Sequence, residues 1–436
     1  MNDTLVINPA SSGVRGDIAL PGDKSISHRA VMFASIAHGT SHIGNFSGGA
    51  DNRSTIRAFH TLGVEIAQTG TEVMVKGQGW NGLRAPTETI DCGNSGTTMR
   101  LLSGLLTGRP FVSCLDGDAS LRSRPMDRVI APLQEMGADI VSEGGDNRAP
   151  LRIQGKSLRS ITYRSPVASA QVKSAIILAG LQAHGRTQVW ESVRSRDHTE
   201  RLLPAFGGRL RVSDTAVTVE GGQELHACDV TVPGDLSSAA FFIGAALIVP
   251  SSELYVRGIG LNPTRTGVLD VFQAMGGSIT ILNQRVVCGE PVGDLLVRPS
   301  ALHGIEIDGE LVVRAIDEVP VLAIVAAFAQ GTTVIRGAQE LRVKESDRLR
   351  ALATALLALG AQVTELPDGL VIEGSKGLYG GQVHSCGDHR IAMALTVAGL
   401  AATSEIVLEG TECADISFPG FYYLVQDLTG AINLDV

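Results

Sequence analysis

Six segments of this chain start on glycine or other small residues and run into Ala/Leu/Ile-rich sequence. They are PGDKSISHRAVMFASIAHG, CGNSGTTMRLLSGLLTG, SAQVKSAIILAGLQAHG, PGDLSSAAFFIGAALIVP, DEVPVLAIVAAFAQG and CGDHRIAMALTVAGLAA. Each leads into a second helical pattern that stops at a glycine, at positions 63, 137, 207, 276, 360 and 430. Glycine there suits the left-handed residue that closes a helix, and the β-branched run after it opens a strand. Composition alone could produce two such matches, but six in order, 69 to 84 residues apart, define a repeat: helix, strand, helix, strands. The first helix of each unit is apolar nearly all round, which marks a buried helix. The second, as in DNRSTIRAFHTLG or KESDRLRALATALLALG, carries charge on one side and belongs outside.

Three units sharing their buried helices make one α/β domain, and 436 residues suffice for two such cores. Pro-Gly-Asp occurs at 21–23 and again at 233–235, three units apart, and places the two crossings between domains. The expected division is 21–234 for the first domain and 1–20 plus 235–436 for the second, completed by the N-terminal strands. A hinge near Gly22 and Gly234 would let the domains close around a ligand.

The stretch GDKSISHR raises a question of charge. A helix start carries partial positive charge and favours Asp or Glu, yet Lys24, His28 and Arg29 crowd this one. Either an anion binds there, or a solvated basic face sits on a helix capped by Asp23 or Ser25. Other starts carry similar groups: Asn94, Gly96 and Thr97; Ser169, Gln171 and Lys173; Asp388, His389 and Arg390. Arg122, Arg124, Arg196, Lys344 and Arg348 lie at or near the second helices. Parallel buried helices would pool their positive ends, and an anion with phosphate and carboxylate groups fits them. Asp317 and Glu318 open the fifth buried helix, where they could simply stabilise its dipole, and Glu345 could be salt-bridged on an exposed helix. Among so many cations these carboxylates are also candidate proton carriers.

Several classes are disfavoured. The net charge of −9 argues against binding a nucleic-acid backbone. The six cysteines are scattered without C-x-x-C or histidine at ligand spacing, which predicts a reducing compartment and no metal. No signal peptide opens the sequence, and runs such as AAFFIGAALIVP are too short to span a bilayer, so the expected location is the cytoplasm. GDKS is no P-loop, and no dinucleotide fingerprint, nucleophile elbow or H-E-x-x-H occurs, so no cofactor is expected.

LPGDKSISHRA, GNSGTTMRLL, GDASLRSRPM, SAQVKSA, SRDHTE, NPTRTG, IDEVPVLA, LRVKESDRL and DHRIAMA together resemble, in order and across essentially the whole chain, the EPSP synthase family of enolpyruvyl transferases. The resemblance implies a two-domain inverted α/β barrel with three repeats per domain, acting as a cytoplasmic monomer without metal or cofactor. It implies transfer of the enolpyruvyl group of phosphoenolpyruvate to the 5-hydroxyl of shikimate 3-phosphate, in the route to chorismate and the aromatic amino acids. By motif, Lys24, Ser25, Arg29, Ser169, Gln171, Arg196, Asp317 and Lys344 look like shikimate 3-phosphate contacts. Lys24, Gly96, Arg124, Gln171, Arg348 and Arg390 look like phosphoenolpyruvate contacts, and Asp317, Glu345 and Lys24 like the catalytic set. Some relatives carry a lysine where Ile416 precedes Ser417 here. GDKS and RDHTE resemble forms tolerant of the herbicide glyphosate, whereas Gly96 is typical of sensitive ones, so the resemblance leaves sensitivity open. The sister transferase acting on UDP-N-acetylglucosamine has a loop cysteine in a Pro-Gly-Gly-Cys type sequence. Here the matching stretch is GDASLRSRP, with Cys114 upstream. RNA 3'-phosphate cyclases share a related repeat, but the acidic balance counts against RNA.

Overall fold

The computed structural model describes residues 3–374 and 377–434. The chain divides into two compact units. One, the N-unit, comprises Gly22–Pro233 with Val286–Glu290, and the other, the C-unit, comprises Met1–Pro21, Gly234–Arg285 and Pro291–Val436. The five residues Val286–Glu290 differ from the sequence division, which kept them with 235–436. They form the end of a hairpin where Cys288 and Gly289 both have positive φ, as a two-residue primed turn requires. Glu290 there is buried against His198, at 2.7 Å from its Nδ1.

The six apolar segments form the inner helices: α1 (Lys24–Ser35), α2 (Gly96–Leu106) and α3 (Ala170–Gly180) in the N-unit, and α4 (Leu236–Ile248), α5 (Val319–Phe328) and α6 (His389–Ala401) in the C-unit. Nine of the ten residues of α5 are buried, against four of the nine in the outer helix Asp127–Glu135, so the inner/outer distinction holds. All six glycines that end the second helices have φ between 62° and 94°, the left-handed closure read from the sequence. Packing is close enough that a Cβ on Gly104 of α2 would lie 2.1 Å from the Ala175 carbonyl oxygen of α3.

Each repeat also owns a sheet. In the second, Ile90–Asp91 runs parallel to Val112–Asp116, which pairs antiparallel with Leu151–Gln154 and through it with Asp139–Ser142. The third and fifth repeats follow the same order. The first repeat borrows its leading strand from residues 225–231, which pair parallel with Ala37–Gly44. In the C-unit Arg15–Ala19 runs parallel to Glu253–Gly260, and Thr4–Ile7 runs antiparallel to Ile406–Glu409. Among the described residues, no helix is long and apolar enough to cross a membrane.

Candidate active site

In the N-unit the cap of α1 is Asp23, whose Oδ1 accepts from the Ile26 amide at 2.9 Å; this decides between the two cap candidates. Lys24 forms an ion pair with Asp51 of the outer helix Ala50–Thr61, and Asn52 of that helix donates to the Lys24 carbonyl at 2.9 Å. Arg29 is buried one turn further on. Its Nε donates to Thr199 Oγ1 at 2.7 Å, Nη1 to the Ser25 carbonyl at 2.9 Å and Nη2 to Ser174 Oγ at 2.8 Å. All three acceptors are neutral, while the carboxylates of Glu200, Asp23 and Glu290 act on its charge from further off. Burial pushes this guanidinium down to about 10, leaving it charged at neutral pH.

Two sequence expectations are corrected here. His28 is not a third cation: it is fully buried, its Nδ1 lies 2.6 Å from Thr55 Oγ1, and burial lowers it to about 3. Lys173 does not face an anion site. Its side chain is 1% exposed and sits 2.8 Å from both Glu191 and Glu200, closing a buried triad behind the site. Burial raises Glu200 despite the opposing pull of Lys173.

The starts of α2 and α3 are tied together. Arg100 Nη1 donates to Gln171 Oε1 at 2.7 Å, and Gln171 Nε2 donates to Thr97 Oγ1 at 2.9 Å. A Cβ on Gly96 would lie 2.7 Å from Arg100 Nη1, so any larger residue there has to swing that guanidinium aside. Arg124 reaches Asn94 Oδ1 at 2.6 Å and Ser120 Oγ at 3.2 Å. Ser169 caps α3, accepting from the Val172 amide at 3.5 Å. Arg196 is half-buried in the loop before the helix His198–Leu202. Thus Lys24, Ser25, Arg29, Gly96, Ser169 and Gln171 lie at linked helix starts, with Arg124 and Arg196 on the loops before outer helices.

In the C-unit Asp235 and Asp388 cap α4 and α6, while Glu318 occupies the cap position of α5 without capping it. Arg348 is 1% exposed; its Nε donates to Asp388 Oδ2 at 2.8 Å and its Nη2 to Glu345 Oε2 at 2.7 Å. Burial opposes the charge on Arg348, but Asp388 and Glu345 outweigh it and hold the guanidinium above its ordinary value. Burial likewise opposes the Asp388 carboxylate, and Arg348 overrides it and keeps it below the usual range. Asp317 sits among three cations. Its Oδ1 is 3.9 Å from Lys344 Nζ and 3.7 Å from Arg348 Nη1, and its Oδ2 is 4.0 Å from Arg390 Nη2. Arg390 Nη1 also donates to the Asp317 carbonyl at 2.9 Å. Lys344 and Glu345 lie on the turn before the outer helix Arg348–Ala358, not on the helix as KESDR suggests, and Asp347 caps that helix. Ile416, half-buried at the end of the short helix Thr411–Ile416, offers no cation.

Sequence reasoning missed Asp51, Arg100, Ser174 and Thr199. An acid in the first turn of an outer helix reads as dipole compensation, and only the tertiary fold brings Asp51 to Lys24. Thr199, inside the RDHTE stretch, could have been found as the one hydroxyl there.

The arrangement can bind anions at the N-unit helix starts and hold a carboxylate among cations in the C-unit. A family profile described as EPSP synthase (3-phosphoshikimate 1-carboxyvinyltransferase) matches residues 9–424. Curated proteins named 3-phosphoshikimate 1-carboxyvinyltransferase include one from Geobacter sulfurreducens, 55% identical over 423 residues, covering 97% of this chain and 98% of that protein. One from Brevibacillus brevis is 52% identical over 416 residues, covering 95% and 98%. A solved EPSP synthase from Acinetobacter baumannii superimposes with a TM-score of 0.90 at 43% identity, covering 99% of both chains. The enolpyruvyl transferase NikO from Streptomyces tendae gives 0.81 at 19% identity, covering 99% of this chain and 98% of that one, a likeness of fold. The chain belongs to the EPSP synthase family.

Proposed function

We propose that this protein transfers the enolpyruvyl group of phosphoenolpyruvate to the 5-hydroxyl of shikimate 3-phosphate and releases phosphate. The observation that carries the chemistry is Asp317, a carboxylate 3.7 to 4.0 Å from Lys344, Arg348 and Arg390 at the start of an inner helix. Such a group can take a proton while the cations around it hold developing charge.

Lys24, Ser25, Arg29, Ser169, Gln171, Arg196, Asp317 and Lys344 hold shikimate 3-phosphate in this reading. Lys24, Gly96, Arg124, Gln171, Arg348 and Arg390 hold phosphoenolpyruvate, with arginine forks matching its carboxylate. Asp317 takes the proton of the 5-hydroxyl as its oxygen attacks the enol carbon. Glu345, with Lys24, gives a proton to the methylene carbon. The resulting tetrahedral adduct carries both groups on one carbon. In the elimination Glu345 takes a proton from the new methyl group as the carbon–phosphate oxygen bond breaks, and the proton held by Asp317 leaves with the phosphate, so one set of groups serves both halves. Cysteine chemistry of the sister transferase finds no support, because the matching stretch GDASLRSRP holds no cysteine and Cys114 lies on the strand Val112–Asp116. The protein acts as a cytoplasmic monomer on two small anions.

Phosphate release from the two substrates without added metal, followed with phosphorus NMR of the product, tests this. Release that needs both substrates, with a new enolpyruvyl ether, is expected; no release from folded protein overturns the assignment.

A further inference from the structure

Next to Asp317, the side chain of Glu318 is 1% exposed and does no capping work for α5. A buried carboxylate must be paired or it is costly. Its Oε1 accepts a hydrogen bond from Ser237 Oγ of α4 and stands 3.8 Å from both Arg265 Nη2 and Arg390 Nη1. Its Oε2 has no hydrogen-bond partner among the described residues. Arg265, 5% exposed in its side chain, donates to Ser237 Oγ at 2.5 Å and lies 3.4 Å from Asp235, the cap of α4. One buried network therefore joins the starts of α4, α5 and α6.

We propose that Glu318, backed by Ser237 and Arg265, is a positioning residue that fixes the guanidinium of Arg390 for phosphoenolpyruvate. The geometry carries this. Arg390 Nη1 has two anchors on the same segment, the Asp317 carbonyl at 2.9 Å and Glu318 Oε1 at 3.8 Å. They turn its other nitrogen, Nη2, toward the Asp317 carboxylate at 4.0 Å. Without the Glu318 charge, the long side chain keeps the carbonyl anchor but loses the electrostatic one that sets its rotation. A carboxylate that binds an arginine fork needs that orientation before it arrives. Arg265 keeps the buried Glu318 paired while Arg390 is turned to its task.

The inference rests on the proposed role of Arg390, so its test includes that residue. Steady-state kinetics on Arg390→Lys come first: a phosphoenolpyruvate KM within twofold of the parent overturns the site reading itself. With that KM raised, Glu318→Gln, which keeps shape and removes charge, is expected to raise the phosphoenolpyruvate KM about tenfold while the shikimate 3-phosphate KM stays within twofold. Ser237→Ala, which keeps every charge and serves if Glu318→Gln does not fold, should move the same constant about threefold. A fall in kcat with both KM values unchanged, or equal rises in both, would mark a purely structural network and overturn the proposal.

Discussion

The two units use one repeat to different electrostatic ends. In the N-unit, Arg29 spends its hydrogen bonds on two hydroxyls and a carbonyl, and Arg124 bonds an amide oxygen and a hydroxyl. In the C-unit, Arg348 is matched by Asp388 and Glu345, and Asp317 stands among Lys344, Arg348 and Arg390. Neutral hydrogen-bond acceptors stabilise a cation without an ion pair, as at Arg29, whereas Lys24 of the same unit is paired with Asp51. Carboxylate partners cancel the field but supply groups that carry protons. In the proposed reading both sets of helix starts hold anions, and the C-unit adds the carboxylates that carry protons.

The comparison breaks first at Lys173, which belongs to the N-unit's foundations and not to its charge. Lys173→Met leaves Glu191 and Glu200 without their buried partner and should cost about 3–5 kcal/mol of stability. Chemical denaturation checks this, with part of the loss recovered at low pH as the glutamates take up protons. Arg29→Met makes the opposite case. It should raise the shikimate 3-phosphate KM about a hundredfold. Because Ser174 and Thr199 still bond each other at 2.6 Å, the melting temperature should stay within a few degrees of the parent's. A clear drop would show that the charge is structural.

His28 sharpens the comparison through pH. Its folded value of about 3 lies below the ordinary 6.5, so between these the unfolded chain binds a proton that the fold refuses. Stability should fall as pH is lowered through that window, by up to about 1.4 kcal/mol per pH unit. His28→Asn should flatten that limb of the denaturation curve. The smallest effect is expected at Gly96. The added methyl of Gly96→Ala would push Arg100 from Gln171 and raise the phosphoenolpyruvate KM about threefold.

Much of this was legible in the sequence because it follows from local chemistry. Glycines at 63, 137, 207, 276, 360 and 430 announce helix ends through their backbone freedom, and α1–α6 announce burial through composition. Charge at a helix start is legible too, but its use is not. Lys24, Lys173 and His28 look alike as basic residues near inner-helix starts. Only packing against Asp51, against Glu191 and Glu200, or against Thr55 separates a half-buried ion pair from a buried triad and a neutral ring. Those partners lie 18 to 27 residues away along the chain, beyond any local pattern. The turn at Val286–Glu290 escaped for the same reason, since its attachment depends on His198.

The division of labour between the units is tested most directly by titrating shikimate 3-phosphate calorimetrically into Arg29→Met and Asp317→Ala, alongside their turnover. The account predicts that Asp317→Ala binds within a few-fold of the parent yet turns over at least about a hundredfold more slowly, whereas Arg29→Met binds about a hundredfold more weakly. Near-parental turnover in Asp317→Ala, or undiminished binding in Arg29→Met, would contradict it.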